Sequence, residues 1–380
     1  MQDILISGAS ITGPALAWWL ERAGFRPVLV ERTPGRARGG HAIDVRGAAL
    51  RVLEAMGLAA AARASAMRMK GVSVVDDHGQ ELWRSEEMTI SGGRFDNPDI
   101  EILRDRLSHV LVDALSPPVE IRYGDSIAAL QDDGAGVDVT FASGHRQRFD
   151  LVIGAEGLRS QVRRLVFGED KDFLRSFGIA LAPFSAPNTL GLEDWQISYK
   201  GSAGGYMVYT TPENDELRVC FNVPATLDDN PGGRDEQMAL IRAHTAGLQW
   251  ETPRFLEAMA AAPDFYLGLI AQVRMPRWST GRVALVGDAG YCPSPFTGQG
   301  ATLALVGAQV LATELSRTPD DHVAAFSGYE TRMRPFVEAN QAIADLTTVP
   351  EFSEDPEYYA RVVEPVLDKA KFAIELEGLD

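Results

Sequence analysis

The first residues of this chain leave few folds open. Ile4-Leu5-Ile6-Ser7 is a short apolar run, and Gly8-Ala9-Ser10-Ile11-Thr12-Gly13 a glycine turn. Pro14 to Ala23 then reads as a helix closed by Gly24, and Val28-Leu29-Val30 as a second strand ending in Glu31-Arg32. Strand, turn, helix and strand in this order open a Rossmann-like α/β fold. The turn matches the dinucleotide fingerprint G-x-G-x-x-G with Ser10 in place of the second glycine, and Glu31 stands 18 residues beyond Gly13. Glu31 is placed to accept the ribose hydroxyls of an adenosine, and Ser10 is the smallest polar substitute where a pyrophosphate approaches the backbone. An ordinary βαβ turn is the plainer reading of the same residues.

A second stretch near the far end narrows the choice. Val283-Ala284-Leu285-Val286 reads as a buried strand, followed by Gly287-Asp288-Ala289-Gly290-Tyr291-Cys292-Pro293-Ser294-Pro295-Phe296-Thr297-Gly298-Gln299-Gly300-Ala301. Thr302 to Leu315 is an Ala/Leu/Val-rich helix. A carboxylate thus leaves a strand end, and a helix begins with almost no side chains in the way. Bare N–H groups at a helix start form an anion site, and a carboxylate accepts hydrogen bonds from sugar hydroxyls. Together they suit a cofactor with a polyol chain and a ring that carries negative charge.

At 380 residues the chain has room for about two domains. Its net charge of −17, from 53 acidic and 36 basic residues, argues against a nucleic-acid surface. The acidity is heaviest near the C-terminal end. Cys220 and Cys292 are too few for a disulfide framework and lack metal spacing. No long apolar run and no basic leader are present, so the expectation is a cytoplasmic enzyme or binding protein without a membrane span.

Between the two stretches, Arg36 to Gly47 is a basic, glycine-rich loop that either reaches phosphates or a ring or is simply a mobile surface loop, and its His41 reads as a solvated loop histidine rather than a catalytic base. Val72–Val75 and Glu81–Arg84 form a hairpin pattern around Asp77-His78-Gly79-Gln80. A helix is expected from Glu101 to about Leu115, with Arg104 in its first turn, where a cation opposes the helix dipole, so that Arg104 either meets a specific anionic partner or is a plain surface arginine. Leu151 to Ser160 is another strand entering a glycine turn. From Phe173 to about Leu269 strand patterns dominate, and alternation puts Tyr206 and Val208 on one face with Met207 and Tyr209 on the other. Such a sheet either walls a pocket for a flat ligand or is simply half-buried. Helices are expected over Asp235–His244 and Pro253–Ala261 outside it, over Val323–Ala344, and over Pro356–Glu377 as a brace.

Three signals in order, Gly8-x-Ser10-x-x-Gly13, Gly154-Ala155-Glu156-Gly157-x-x-Ser160-x-Val162-Arg163 and Gly287-Asp288-Ala289 with Pro295-x-x-Gly298-Gln299-Gly300, resemble the group A flavoprotein monooxygenases, the para-hydroxybenzoate hydroxylase-like family. The Gly39-Gly40…Asp44-x-x-Gly47 stretch looks most like its tetracycline-inactivating and polyketide-tailoring branch. The resemblance implies an FAD-binding domain over 1–70, 100–172 and 270–345, an α+β substrate domain on an antiparallel sheet over 71–99 and 173–269, and a bridging C-terminal helix over 346–380. It implies non-covalent FAD, NADPH or NADH as electron donor, and O₂, with one oxygen atom inserted into an aromatic or polycyclic molecule through a hydroperoxide on the flavin. Gly8, Ser10 and Gly13 would meet the pyrophosphate, and Glu31 with Arg32 the adenosine side. Arg104 and Asp288 would hold the flavin side and ribityl chain. Asp44, Arg46, Pro295 and the amides of Gly298, Gly300, Ala301 and Thr302 would lie at the ring. Glu156 would support both cofactors, and Arg38 would meet an NADPH phosphate. Trp195, Gln196, Tyr206, Tyr209, Phe221, Pro295 and Phe296 are the expected substrate wall. No catalytic side chain and no metal are required beyond the flavin, and either a monomer or a homodimer is open.

Ser10 and Glu156, which replaces the family's Asp, depart from the pattern, as do Thr302 and Gly307. A flavin-dependent reductase or halogenase would share the frame, although Trp195 lacks the second tryptophan of a halogenase box. A ligand-binding relative without turnover is a third reading.

Overall fold

The computed structural model describes residues 2–89, 94–117, 119–202, 204–227, 232–350, 352 and 357–379. Its first sheet has six strands in the order Ser279–Thr280, Val283–Leu285, Leu151–Gly154, Asp3–Ser7, Arg26–Glu31 and Glu120–Tyr123. All neighbours are parallel except the short Ser279–Thr280 pair. The central strands are continuous apolar runs because both faces are covered: Ile4, Leu5, Ile6, Leu151, Val152 and Ile153 are all fully buried. The Thr12–Arg22 helix packs against the Gly300–Arg317 helix, so the two motif-bearing helices share one layer.

A second sheet of seven strands runs Gly268–Val273, Leu174–Pro187, Glu216–Pro224, Gly204–Thr210, Trp195–Gly201, Gly71–Val75 and Glu81–Ser85. It is antiparallel apart from the parallel pairing of Gly71–Val75 with Trp195–Gly201. The Arg234–Thr245 and Thr252–Ala261 helices cover one of its faces with a separate apolar core. The architecture is therefore the expected α/β frame with an α+β second layer and C-terminal helices. Among the described residues no helix is long and apolar enough to cross a membrane.

Three local expectations are corrected. The helix expected from Glu101 begins at Arg104, and Ile100–Leu103 is a strand antiparallel to Ala42–Val45. Ile100 and Ile102 alternate into the core, and the strand partner that makes this possible lies far off in sequence. By the same pairing, the end of the Arg36–Gly47 loop is strand. The C-terminal helix stops at Ala370 after a wide turn over Tyr359–Val363, with residues 353–356 outside the described set. Just beyond it, the carbonyl of Lys371 accepts the Ala48 N–H at 2.9 Å, so a tertiary hydrogen bond takes the place of a further turn. The 14-residue strand Leu174–Pro187 and the strand Ile127–Asp132 had no local signal strong enough to announce them.

Candidate functional site

Two glycine turns and one short ribbon converge at the ends of the parallel strands. In the first turn Gly8 has φ +106°, and a Cβ there would lie 2.5 Å from the Ala155 carbonyl oxygen. A Cβ on Gly13 would fall 1.9 Å from the Gly8 carbonyl oxygen. Both positions admit glycine alone, so the chain can double back tightly enough to bring backbone N–H groups to the strand ends. Glu31 braces this turn, accepting the N–H of Ala9 at 2.9 Å and that of Thr33 at 2.9 Å. Ser10 is half-buried at the turn, and Arg32 and Arg38 are exposed. Glu156 accepts from the Ser7 hydroxyl at 2.6 Å, the Ser160 hydroxyl at 2.7 Å and the Val162 N–H at 2.9 Å. It is committed to clamping the mid-chain motif onto the first strand. Arg163, fully buried, continues this clamp by donating to the Ala289 carbonyl at 2.8 Å.

The far motif abuts the first turn, since a Cβ on Gly287 would sit 2.5 Å from the Thr12 hydroxyl. Asp288 starts a one-turn helix over Asp288–Tyr291, which the sequence reading took as loop. Its Oδ1 is buried with no partner among the described residues, and burial pushes its carboxyl up against the opposing effects of a hydrogen bond with the Cys292 thiol and of Arg104. Arg104 leaves its own Nε buried and unpartnered, with its guanidinium 5.6 Å from the centre of the Tyr266 ring. A Cβ on Gly40 would lie 2.8 Å from that Nε, so the loop passes flat against the arginine. The Gly300–Arg317 helix begins with no side-chain cap and no acid in its first turn. Its amides are thus left for an outside acceptor.

The ribbon of Ala42–Val45 and Ile100–Leu103 closes one side. Asp44 pairs with Arg46 at 2.8 Å, and both stand 3.3 Å from where a Cβ of Gly298 would be. The Thr302 hydroxyl accepts the Arg46 N–H at 3.2 Å, which gives this departure from the family pattern a function of its own. These features fit FAD: an orphaned acceptor and an orphaned donor, a glycine turn, and an uncapped helix start share one cleft. Leaving such groups buried without a partner costs on the order of 1–3 kcal/mol each.

The expected substrate wall divides. Tyr206 and Phe221 lie on the helix-covered face, with ring centres 4.8 Å apart, and the Tyr206 hydroxyl donates or accepts at Thr252, 3.2 Å away. Trp195 shares that face, its indole N–H bonded to Ser73 at 3.0 Å and its ring 3.9 Å beneath Arg84. These three are packing residues, and the structure takes them off the wall. Alternation puts Gln196 and Tyr209, cross-strand partners, on the opposite face. There the Tyr209 hydroxyl accepts the Ala42 N–H at 2.8 Å, joining the sheet to the ribbon. Pro295 is exposed, and half-buried Phe296 meets Phe177 edge-on at 5.4 Å.

Two groups had escaped the sequence reading. His41 is not a solvated loop residue: its Nδ1 lies 3.3 Å from the Tyr266 hydroxyl, and burial together with Arg104 lowers its pKa to about 4. Glu101 faces Asp44 directly across the ribbon. The isoleucines at positions 100 and 102 carried the period-two signal that would have turned it outward.

Residues 1–342 match the model of a family described as FAD binding domain. A flavin-dependent monooxygenase from an unknown prokaryotic organism is 39% identical over 384 residues, covering 99% of this chain and 98% of that protein. The Mycobacterium tuberculosis (strain ATCC 25618 / H37Rv) protein Rv1260 is 46% identical over 342 residues, covering 90% of this chain and 92% of its own length. Among solved structures, the tetracycline destructase Tet(51) superposes with a TM-score of 0.91 at 34% identity, with all of both chains covered.

Proposed function

Because the chain belongs to this FAD-binding family and is an FAD-dependent monooxygenase, we propose that its substrate is a polycyclic phenol or enol of the tetracycline kind, oxidised at the expense of NADPH. The observation that carries this reading is the trio of Asp288 Oδ1, Arg104 Nε and the uncapped start of the Gly300–Arg317 helix: Asp288 Oδ1 lies 4.0 Å from where a Cβ of Gly300 would be, and Arg104 is near enough to pull on that carboxyl. Gly8, Ser10 and Gly13 would take the pyrophosphate and Glu31 the ribose, with Arg32 beside it. Asp288 would accept from the ribityl hydroxyls. Asp44, Arg46 and Pro295 would flank the ring.

Bound there, FAD supplies the passage of electrons from the nicotinamide and the activation of O₂. The residues around it have simpler tasks. The amides of Gly300, Ala301 and Thr302 would stabilise negative charge on the ring's pyrimidine edge through the helix dipole, with no charged side chain needed. Arg104 would add a positive charge beside the cofactor. The face of the seven-stranded sheet carrying Gln196 and Tyr209 would form a wall that keeps water from the reacting oxygen. Exposed Arg38 is placed to meet an NADPH phosphate, and use of that reductant argues for a cytoplasmic location. Segments 71–99 and 173–269 would serve the substrate, and the remainder FAD.

The test is incubation of the purified holoenzyme with NADPH and tetracycline, following NADPH oxidation, O₂ uptake and product mass. Coupled consumption with a product one oxygen atom heavier is the expected result. NADPH oxidation without an oxygenated product would leave the reductase reading instead.

A further inference from the structure

Glu101 is an unassigned acid in the cleft, and its surroundings say what it could receive. The antiparallel ribbon places it directly opposite Asp44, on the same face. The alternate residues Ile100 and Ile102 are 2% and 0% exposed in the core. Two carboxylates facing each other across a strand pair are destabilising unless something offsets them. Asp44 has its offset in Arg46, at 2.8 Å. Asp99, at the foot of the ribbon, lies 3.7 Å from both Arg46 and Lys371. The Glu101 carboxylate has neither a hydrogen bond nor an ion pair among the described residues, although its backbone carbonyl accepts the Met67 N–H at 2.8 Å, and the residue is exposed.

It is nevertheless closely surrounded. The protein around it, with Asp44 adding to the effect and Arg46 opposing it, pushes the Glu101 carboxyl up to about 7. The carboxylate is reachable from solvent, and the ribbon that carries it stands between two larger parts of the protein. On one side is the loop of Gly298, because Asp44 lies against it. On another is the seven-stranded sheet, because the Tyr209 hydroxyl accepts the N–H of Ala42, the first residue of the ribbon. Tyr359 completes the set of titratable groups, beside Arg46 and Asp44.

We infer that Glu101 is a specificity residue: its unpaired carboxylate receives a hydrogen-bond-donating cation of the substrate, a protonated amine carried on the ring system. This inference rests on the polycyclic reading above and adds to it the group that the substrate presents on the ribbon side. Arg46 is already engaged by Asp44, so the substrate's amine is the partner that the ribbon itself does not supply.

The experiment compares wild type, Glu101→Gln and Glu101→Asp, each as FAD-loaded enzyme, on tetracycline and on the same ring system lacking its amine. For tetracycline at about pH 8.5, kcat/KM of Glu101→Gln is expected to fall about tenfold or more, carried by KM, as for loss of a charge-assisted bond. At about pH 5.5, where wild-type Glu101 is protonated, the ratio of wild type to variant returns to within about twofold. Taking the ratio cancels the titration of the substrate itself. With the amine-free compound the ratio stays near one at both pH values, and Glu101→Asp recovers part of the loss with tetracycline. FAD content is unchanged throughout. Equal ratios for the two compounds, or a ratio independent of pH, overturn the inference while leaving the polycyclic reading standing. Failure of wild type to oxidise either compound overturns both.

Discussion

The two sheets of this molecule carry their chemistry by different means. Around the parallel sheet the site is made of backbone. Gly8, Gly13 and Gly40 each sit where a side chain would collide with a neighbour, and two of the polar side chains present, Asp288 and Arg104, each leave a buried atom without a partner among the described residues. In the seven-stranded sheet, side chains decide everything and the backbone is regular. Its two faces differ in use. One is a dry layer of Phe184, Tyr206 and Phe221, covered by two helices of which one supplies Phe255. The other carries Gln196, Met207, Tyr209, Arg218 and Cys220 toward the ribbon. A backbone site must be written with particular residues at particular spacings, whereas a sheet face needs only an alternation that many sequences satisfy.

The sharpest way to break this comparison is to show that the aromatic face touches substrate. Phe221→Ala removes a fully buried ring, and the expected cost is about 3–5 kcal/mol of stability. Denaturant unfolding checks the size. Steady-state kinetics on the folded fraction should return an unchanged KM, and a KM that moves with the ring would put that face back on the pocket. Asp288→Ala acts in the opposite way. It removes a buried carboxylate whose Oδ1 has no partner among the described residues and whose side chain is otherwise held only by the Cys292 thiol, so the fold's stability changes little. FAD affinity is expected to fall by about 1.5–3 kcal/mol, roughly 10- to 150-fold. The ratio of flavin to protein absorbance after gel filtration measures it, and a variant that keeps its full flavin content would remove Asp288 from the cofactor's contacts.

This contrast also explains what could be read in advance. The motifs at Gly8–Gly13 and Gly287–Ala301 were legible because close approach of backbone demands glycine, and glycine at fixed spacing is visible in a string of letters. Their placement beside one another follows from the parallel sheet. Alternation correctly separated Tyr206 and Val208 from Met207 and Tyr209. It could not say which face the Thr252–Ala261 helix would cover, since that depends on a packing partner remote in sequence, and so Trp195, Tyr206 and Phe221 were set on the wrong side. The ribbon was missed for the same reason. Ile100–Leu103 runs directly into Arg104, a helix start, and only its pairing with Ala42–Val45 makes it a strand. With that strand unseen, the outward direction of Glu101 was unseen too. His41 shows the limit for single residues, because its neutrality comes from Arg104 and from burial that no local pattern reports.

Between the seven-stranded sheet and the ribbon lies the hydrogen bond of Tyr209 with Ala42, and its removal is a smaller perturbation. Tyr209→Phe deletes the hydroxyl that accepts the Ala42 N–H. About 1–3 kcal/mol of stability should be lost, since a half-buried N–H is left without its acceptor. Because the ribbon carries Asp44 and Arg46 against Gly298, where the flavin ring is proposed to lie, the same change should alter the visible flavin spectrum, which Phe221→Ala leaves as it was. Identical spectra in the two variants would mean that the sheet and the ribbon are not coupled.

The smallest effect is the most discriminating. In the unfolded chain Glu101 titrates in the ordinary carboxylate range, near 4.5, while in the folded protein its surroundings and Asp44 push it up to about 7. The folded state therefore holds this proton more tightly than the unfolded state does. The resulting stability is fully present below the unfolded value and is lost as pH rises through about 7. Glu101→Gln stays neutral at every pH and escapes that loss. Its Tm should exceed that of wild type at about pH 8 and converge with it near pH 4.5, other groups cancelling in the difference. Scanning calorimetry of both proteins at the two pH values decides the matter. A variant less stable than wild type at about pH 8 would mean that Glu101 has an ionic partner within the fold, and the ribbon would then be a structural strap like the aromatic face. A variant that is more stable there yet poorer at binding an amine would show a position kept charged for its ligand at the expense of the fold.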